Sequence, residues 1–223
     1  MVEKNAAGRF KIVLMLLLVF GPATLLVLIG TRGCEHKFKV LDDYGAAVDY
    51  HFIDGMGNER SSKDFSDHVV LITTLQVDCP ENCAVSFWHI DQHVYQPVRS
   101  SKDKSGSVRI ISFVTDKDGN PVEDVAQVQE MMKDRVEGYD PNVWIVASGD
   151  CREIYDFENN NQSLLKKSDE EYGESGYQEL ILLLDKANHL RMVRSGSTEA
   201  WVREMKQHLS LLQKAYDKEK AKK

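Results

Sequence analysis

The polarity pattern along the chain changes period several times, and each change predicts an element. Residues 68–77, HVVLITTLQV, and 107–115, SVRIISFVT, are near-continuous runs of apolar and β-branched residues. Neither alternates, so each predicts a strand buried on both faces. Between them, ENCAVSFWHIDQHVYQPV brings Ala84, Phe87, Trp88 and Val94 to one side at helical spacing, with Pro97 marking the expected end. VEDVAQVQEMMKDRVEGY predicts an amphipathic helix, and NVWIVASGD a third strand. Upstream, YHFIDGMGNERSSKDF carries turn signals at Asp54-Gly55 and Gly57-Asn58 and predicts a hairpin. CREIYDFENNNQSLLKK reads as a short helix and a polar stretch. YQELILLLDKANHLRMVRS predicts two strands around a turn at Lys186-Ala187-Asn188. The closing segment from Ser197 predicts a helix, capped by Ser197 or Thr198, with Leu209, Leu211 and Leu212 turned inward. The order β-β-β-α-β-α-β-α-β-β-α predicts a three-layer α/β domain with a mixed sheet.

One run lies outside that domain. From Ile12 to Thr31 no residue is charged. Twenty residues at about 1.5 Å each reach roughly 30 Å, the thickness of a bilayer core. Gly21 and Pro22 interrupt the run, which transmembrane helices tolerate. A cleaved signal peptide would have a shorter apolar region, so an uncleaved anchor is the expectation. Lys4, Arg9 and Lys11 precede it against Glu3 alone, which keeps the N-terminus inside and exports the chain beyond the anchor. The expected organisation is a cytoplasmic stub at 1–11, an anchor at 12–31, a linker at 32–48, a domain at 49–212 and a charged tail at 213–223. The net charge of −7 argues against a nucleic-acid partner.

The chemistry centres on VDCPENCAVS. Cys79 follows a predicted buried strand, and Cys83 falls in the first turns of the next helix. Unpaired N–H groups at a helix start stabilise negative charge. A thiol there is more acidic, which suits thiol exchange or soft-metal binding. Pro80 fits a first turn. Alone the spacing is weak evidence, since a structural disulfide in an exported domain satisfies it equally. Two cysteines do not complete a zinc site, and no second pair is present.

Several motifs in order give the chain a resemblance to the Sco/SenC family, membrane-anchored thioredoxin-fold proteins linked to copper delivery to cytochrome c oxidase. HFIDGMGNERSSKDF resembles the family's opening strands, and CPENC stands where it has C-P-x-x-C-P. SFVTDKDGNPVEDV, VWIVASGDCREIYDF and ILLLDKANHLRMVRSGS resemble its later segments. The resemblance runs from about Phe38 to about Leu212. It implies a thioredoxin-like mixed sheet flanked by helices after one N-terminal transmembrane helix. It also implies a bacterial inner-membrane location with the domain in the periplasm, Cys79 and Cys83 as redox residues and copper ligands, and an oxidase subunit or redox protein as partner.

The departures are as informative. The family's copper site adds a histidine eight residues before the hairpin aspartate. Counting back from Asp185 reaches Tyr177. Ala84 stands where the family has a proline after the second cysteine, and Lys117 where it has one after the aspartate. Two thiolates can still hold Cu(I), whereas Cu(II) wants nitrogen or oxygen ligands. Weight therefore moves toward thiol redox work. A general periplasmic thiol–disulfide oxidoreductase and a tethered assembly module that has lost copper binding are the alternatives. A peroxidase is disfavoured, because Gln76, Val77 and Asp78 precede Cys79 where a Thr or Ser is needed. His89 and His93 share a helix face, too far along it from Cys83 to share a metal, and are expected to face solvent. His189 reads as a turn residue, and His51 and His68 flank the opening strands. Cys34 and Cys151 are expected to be unpaired, Cys151 as a small half-buried residue. Trp144 and Tyr177 read as packing residues.

Overall fold

The computed structural model describes residue 11 and residues 14–27, 41–77, 82–156, 158–159, 162–163 and 176–222. It divides into two units, Met1–Lys39 and Val40–Lys223. In the first, residues 14–27 form a helix, α1. Its apolar side chains face outward, Leu18 at 74% exposure and Leu26 at 70%. At about 1.5 Å per residue α1 is roughly 21 Å long. Among the described residues no helix is long and apolar enough to cross a membrane. The anchor expected at 12–31 extends beyond α1 at both ends, into residues outside those described.

In the second unit the two uninterrupted apolar runs become β3 (Val69–Gln76) and β4 (Val108–Thr115). They pair in parallel over their whole length, Val69 against Val108 through Gln76 against Thr115. Around them stand β1 (His51–Asp54), β2 (Glu59–Ser61), β5 (Trp144–Ser148), β8 (Leu180–Leu184) and β9 (Leu190–Ser195). Together they make a seven-stranded mixed sheet in the order β2-β1-β5-β4-β3-β8-β9. A separate two-stranded ribbon, β6 (Glu158–Asn159) with β7 (Gln162–Ser163), lies where the sequence pattern reads only a polar stretch.

Non-alternating strands need cover on both faces, and the core is accordingly double. One face buries Leu71, Ile110 and Trp144 under helices, and the other buries Ile72, Ile111 and Phe113 against Phe52, Phe65 and Tyr155. The first face is covered by α2 (Asn82–Ile90), α5 (Ala126–Arg135) and α7 (Glu199–Lys222). Leu209 and Leu212 of α7 are buried as expected, and the side-chain oxygen of Thr198 accepts from the N–H of Trp201 near its start. The short α6 (Arg152–Tyr155) covers the second face through Ile154 and Tyr155.

The helix after β3 departs from its expected end. α2 passes through a π-helical segment, Asp91–Tyr95, into α3 (Gln96–Arg99), with α4 (Lys102–Ser105) next along the chain. Pro97 lies in the first turn of α3, not beyond the helix. In the π segment the N–H of Gln96 reaches back five residues to the Asp91 carbonyl, and this shift of register accommodates the missing N–H at Pro97.

Residues 41–48 run along the turn between β8 and β9. Tyr44 N–H donates to the Leu190 carbonyl and Ala47 N–H to that of Asn188. Asn188 itself takes a positive φ of 59°, a conformation asparagine tolerates in turns. Parallel β3, β4 and β5 put their C-terminal ends at one edge of the domain. β8 runs antiparallel to β3, Leu184 facing Val70, so its start at Leu180 lies at that same edge.

Candidate functional site

β3 ends at Gln76 and α2 begins at Asn82, so the connection between them carries the first cysteine. Cys79 lies outside the described residues. The backbone of Cys83 is in the first turn of α2, and its side chain is likewise outside what is described. The described surroundings are ordered around the end of β3. Val77 N–H donates to the Thr115 carbonyl, continuing the β3–β4 ladder past the strand.

Beside this end is a cleft of about 840 Å³. Its floor comes from Thr74 to Val77, one wall from Ser86, Phe87 and Trp88 of α2, and the other from Val128, Met131 and Arg135 of α5. Gln178 and Glu179, just before β8, close one end. Trp88, expected on the buried side of α2, is 52% exposed at this cleft, and Val77 is 45% exposed. Phe87 instead packs on Trp144, ring centroids 5.3 Å apart.

A hydrogen-bond lattice fixes the segment 176–179 to the strand ends. Thr74 Oγ1 donates to the Gln178 carbonyl at 2.5 Å. Gln178 Nε2 donates to Thr115 Oγ1 and to the Asp116 carbonyl, both at 2.9 Å. Tyr177 therefore belongs to the segment flanking the end of β3, but its side chain turns to the other face of the sheet. Its ring lies 5.3 Å from that of Tyr155, and its hydroxyl donates to the Gly119 carbonyl at 2.7 Å. Gly119 has φ +83°, and a Cβ there would meet the Tyr177 hydroxyl at 2.3 Å, so this loop and this tyrosine specify each other. Burial, then the neighbouring Cys151, pushes the Tyr177 phenol up to about 12. A neutral, donating phenol is no substitute for an imidazole ligand.

The other residues singled out by the sequence lie elsewhere. Cys151 is free and 1% exposed, deeper than the half-buried position expected, and burial pushes its thiol up to about 12. His68 precedes the first residue of β3, so eight residues of strand, roughly 26 Å, separate it from the cysteine end. His51 is at the cysteine edge but on β1, three strands and about 14 Å away. His189 is at the opposite edge, its Nδ1 3.0 Å from Asp43. His89 and His93 do not face solvent. His89 is 8% exposed, and the His93 ring stands 3.3 Å from Glu199 of α7, which covers this side of the helix. Burial holds the His93 imidazole below its ordinary range despite Glu199. Trp144 is a packing residue, fully buried with its Nε1–H donated to Ser112 Oγ at 2.8 Å. Among the described residues no group of three or more His, Cys, Asp or Glu side chains is placed to hold a metal ion.

Thr74, Gln178 and the α5 wall are not singled out by the sequence. α5 reads there only as an amphipathic helix, and nothing in its pattern separates Val128 and Met131, which line a cleft, from Met132, which fills the core.

No protein-family model matches the chain, and no curated protein matches it. Solved structures do. A SCO1/SenC family lipoprotein from Bacillus anthracis is similar with a TM-score of 0.52 at 14% identity, over 75% of this chain and 94% of that one. BsSco, described as a member of the Sco family of cytochrome c oxidase assembly proteins with a disulfide switch, is similar with a TM-score of 0.53 at 16% identity, over 78% of this chain and 99% of that one. Identities this low speak for the fold alone. The seven-stranded mixed sheet with its covering helices and the closing hairpin and helix share the fold of these two structures.

Proposed function

We propose that this chain is a membrane-tethered thiol protein of the Sco/SenC kind, and that Cys79 and Cys83 carry out thiol–disulfide exchange in the maturation of cytochrome c oxidase. The observation that carries the reading is the position of the pair. In the sequence Cys79 falls between the end of β3 and the start of α2, and Cys83 in the first turn of α2, in a fold shared with BsSco, a protein of oxidase assembly described with a disulfide switch. The uncharged run at 12–31 and the outward-facing apolar side chains of α1 support the tether and the export of the domain.

The chemistry needs only the two thiols. The Cys79 thiolate attacks one sulfur of a target disulfide, the target S–S bond breaks, and the displaced sulfur leaves as a thiolate that takes a proton from water. Cys83, deprotonated, then attacks the mixed disulfide at Cys79 and releases the second target thiol. Two electrons pass to the target and the pair ends as a disulfide, which an external dithiol re-reduces. Delivery of Cu(I) as cargo is the second reading, supported by two soft thiolates four positions apart in the sequence. Tyr177 argues against a Cu(II) site, because its hydroxyl is committed to Gly119.

The test is the reduction potential of the pair in the full chain, with a Cu(I) competition titration on the reduced protein and on Cys79→Ala. Reversible two-electron titration with weak copper binding supports the redox reading. One-to-one Cu(I) binding lost in Cys79→Ala supports the cargo reading. Neither activity leaves a tethered assembly module.

A further inference from the structure

The cleft beside β3 has features that thiol exchange alone does not require. Its floor ends at Val77, two residues before Cys79, and its α2 wall begins at Ser86, three residues after Cys83. The described segments on both sides of the cysteine pair in sequence thus line one cavity. That cavity presents Val77 and Trp88 to water at 45% and 52% exposure. Isolated exposed apolar residues need no explanation, but two that share a cleft with Phe87, Val128 and Met131 form a patch that a partner can cover. The volume, about 840 Å³, suits several side chains of an extended segment.

The polar lining selects the chemistry. Gln178 spends its Nε2 on Thr115 and Asp116, which leaves its Oε1 as an acceptor. Gln127 adds a second amide at the cleft. Amides pair with peptide N–H and C=O groups, and a hydrocarbon tail offers neither. Arg135, exposed at the end of α5, makes no ion pair among the described residues. It supplies a positive charge suited to a carboxylate.

We propose that this cleft seats an extended segment of the polypeptide on which the cysteine pair acts, with apolar side chains flanking its cysteine and an acidic residue reaching Arg135. The inference rests on the thiol reading for the identity of the occupant, and on the cleft alone for binding. It makes target choice a property of Val128, Met131 and Arg135, residues remote from the thiols in sequence.

The test uses the full chain in lipid nanodiscs and a fluorescein-labelled peptide, acetyl-Gly-Leu-Val-Ser-Leu-Glu-Gly-amide, read by anisotropy. The serine replaces the reactive cysteine, so binding is measured without thiol chemistry. Replacing its three apolar residues by Gly and Ser should weaken binding more than about tenfold. Arg135→Glu should weaken the Glu-bearing peptide about three- to fivefold and favour a Lys-bearing one by a similar factor. Met131→Glu should weaken both, and its thermal unfolding transition confirms a folded variant. Equal affinity for the apolar and Gly/Ser peptides, or no response to charge reversal, overturns the proposal. A disulfide-bearing version of the peptide separates the two readings. Serine-peptide binding without reduction of the disulfide version sinks the thiol reading and leaves the docking site. Rapid reduction with no sequence preference does the reverse.

Discussion

Alkylation of the native chain gives the reasoning about its thiols a built-in standard, Cys151. That thiol is free, 1% exposed, and pushed up to about 12 by burial and then by the adjacent Asp150. At pH 7.5 its thiolate fraction is about 3 × 10⁻⁵, against about 0.1 for an ordinary thiol near 8.5. The ratio is about 3,000. A more basic thiolate is also the better nucleophile, and a Brønsted slope of about 0.45 returns a factor of about 40. The chemical handicap is therefore about 80-fold. Burial adds to it, because reagent must wait for a local opening of the core around α6. Cys79, ahead of a helix start, should be at least as acidic as an ordinary thiol. Iodoacetamide at pH 7.5, with mass mapping of each cysteine peptide, should label Cys79 at least about 10²-fold faster than Cys151. Denaturation should abolish the difference. The Cys151 rate should keep rising about tenfold per pH step through pH 10, since its thiolate is still scarce there. A Cys151 rate within tenfold of Cys79 in the folded chain would refute both the burial argument and the use of position to rank thiols.

Three further outcomes rest on the hydrogen-bond geometry. Ser112→Ala leaves the buried Trp144 indole N–H without its acceptor and should cost about 1–3 kcal/mol, read as a lower urea midpoint at unchanged slope. In a Trp144→Phe background the same change should cost far less. Asp54 is buried, which raises its carboxyl, but hydrogen bonds from Asn58, Arg60 and Met56 outweigh burial and hold it below its ordinary value. A lowered native pKa adds stability that is full above the unfolded value near about 3.9 and is lost as pH falls through the native one. Asp54→Asn should therefore cost about 1.5–3 kcal/mol at pH 7, with the gap to wild type closing below about pH 4 in urea titrations. Tyr177→His frees the Gly119 carbonyl, but the side chain at 177 lies beside Tyr155 on the face of the sheet away from the cleft, so Cu(I) affinity should not rise. A raised Cu(I) affinity or a Cu(II)–thiolate absorption band in the folded variant would refute that placement.

How far the sequence carried depends on how local the determining forces are. β3 and β4 are legible because burial on both faces leaves no polar position to alternate, and Ile72 and Ile111 then pack on one face of the sheet while Leu71 and Ile110 pack on the other. The end of β3 and the start of α2, on either side of Cys79 in the sequence, are legible from the same change of period. The errors lie where a distant element decides. Pro97 reads as a stop, yet a π turn just before it removes the need for its N–H. His89 and His93 read as a wet helix face, yet α7, more than a hundred residues later, lies across them with Glu199 beside His93. Trp88 reads as core and faces the cleft, because its neighbour Phe87 takes the place against Trp144. Tyr177 is the most telling case. Counting along the chain reaches a tyrosine where the resemblance implies a histidine, but not that its hydroxyl is already bonded to Gly119 across 58 residues. That contact, which ties the 176–179 segment to the loop after β4, exists only in three dimensions.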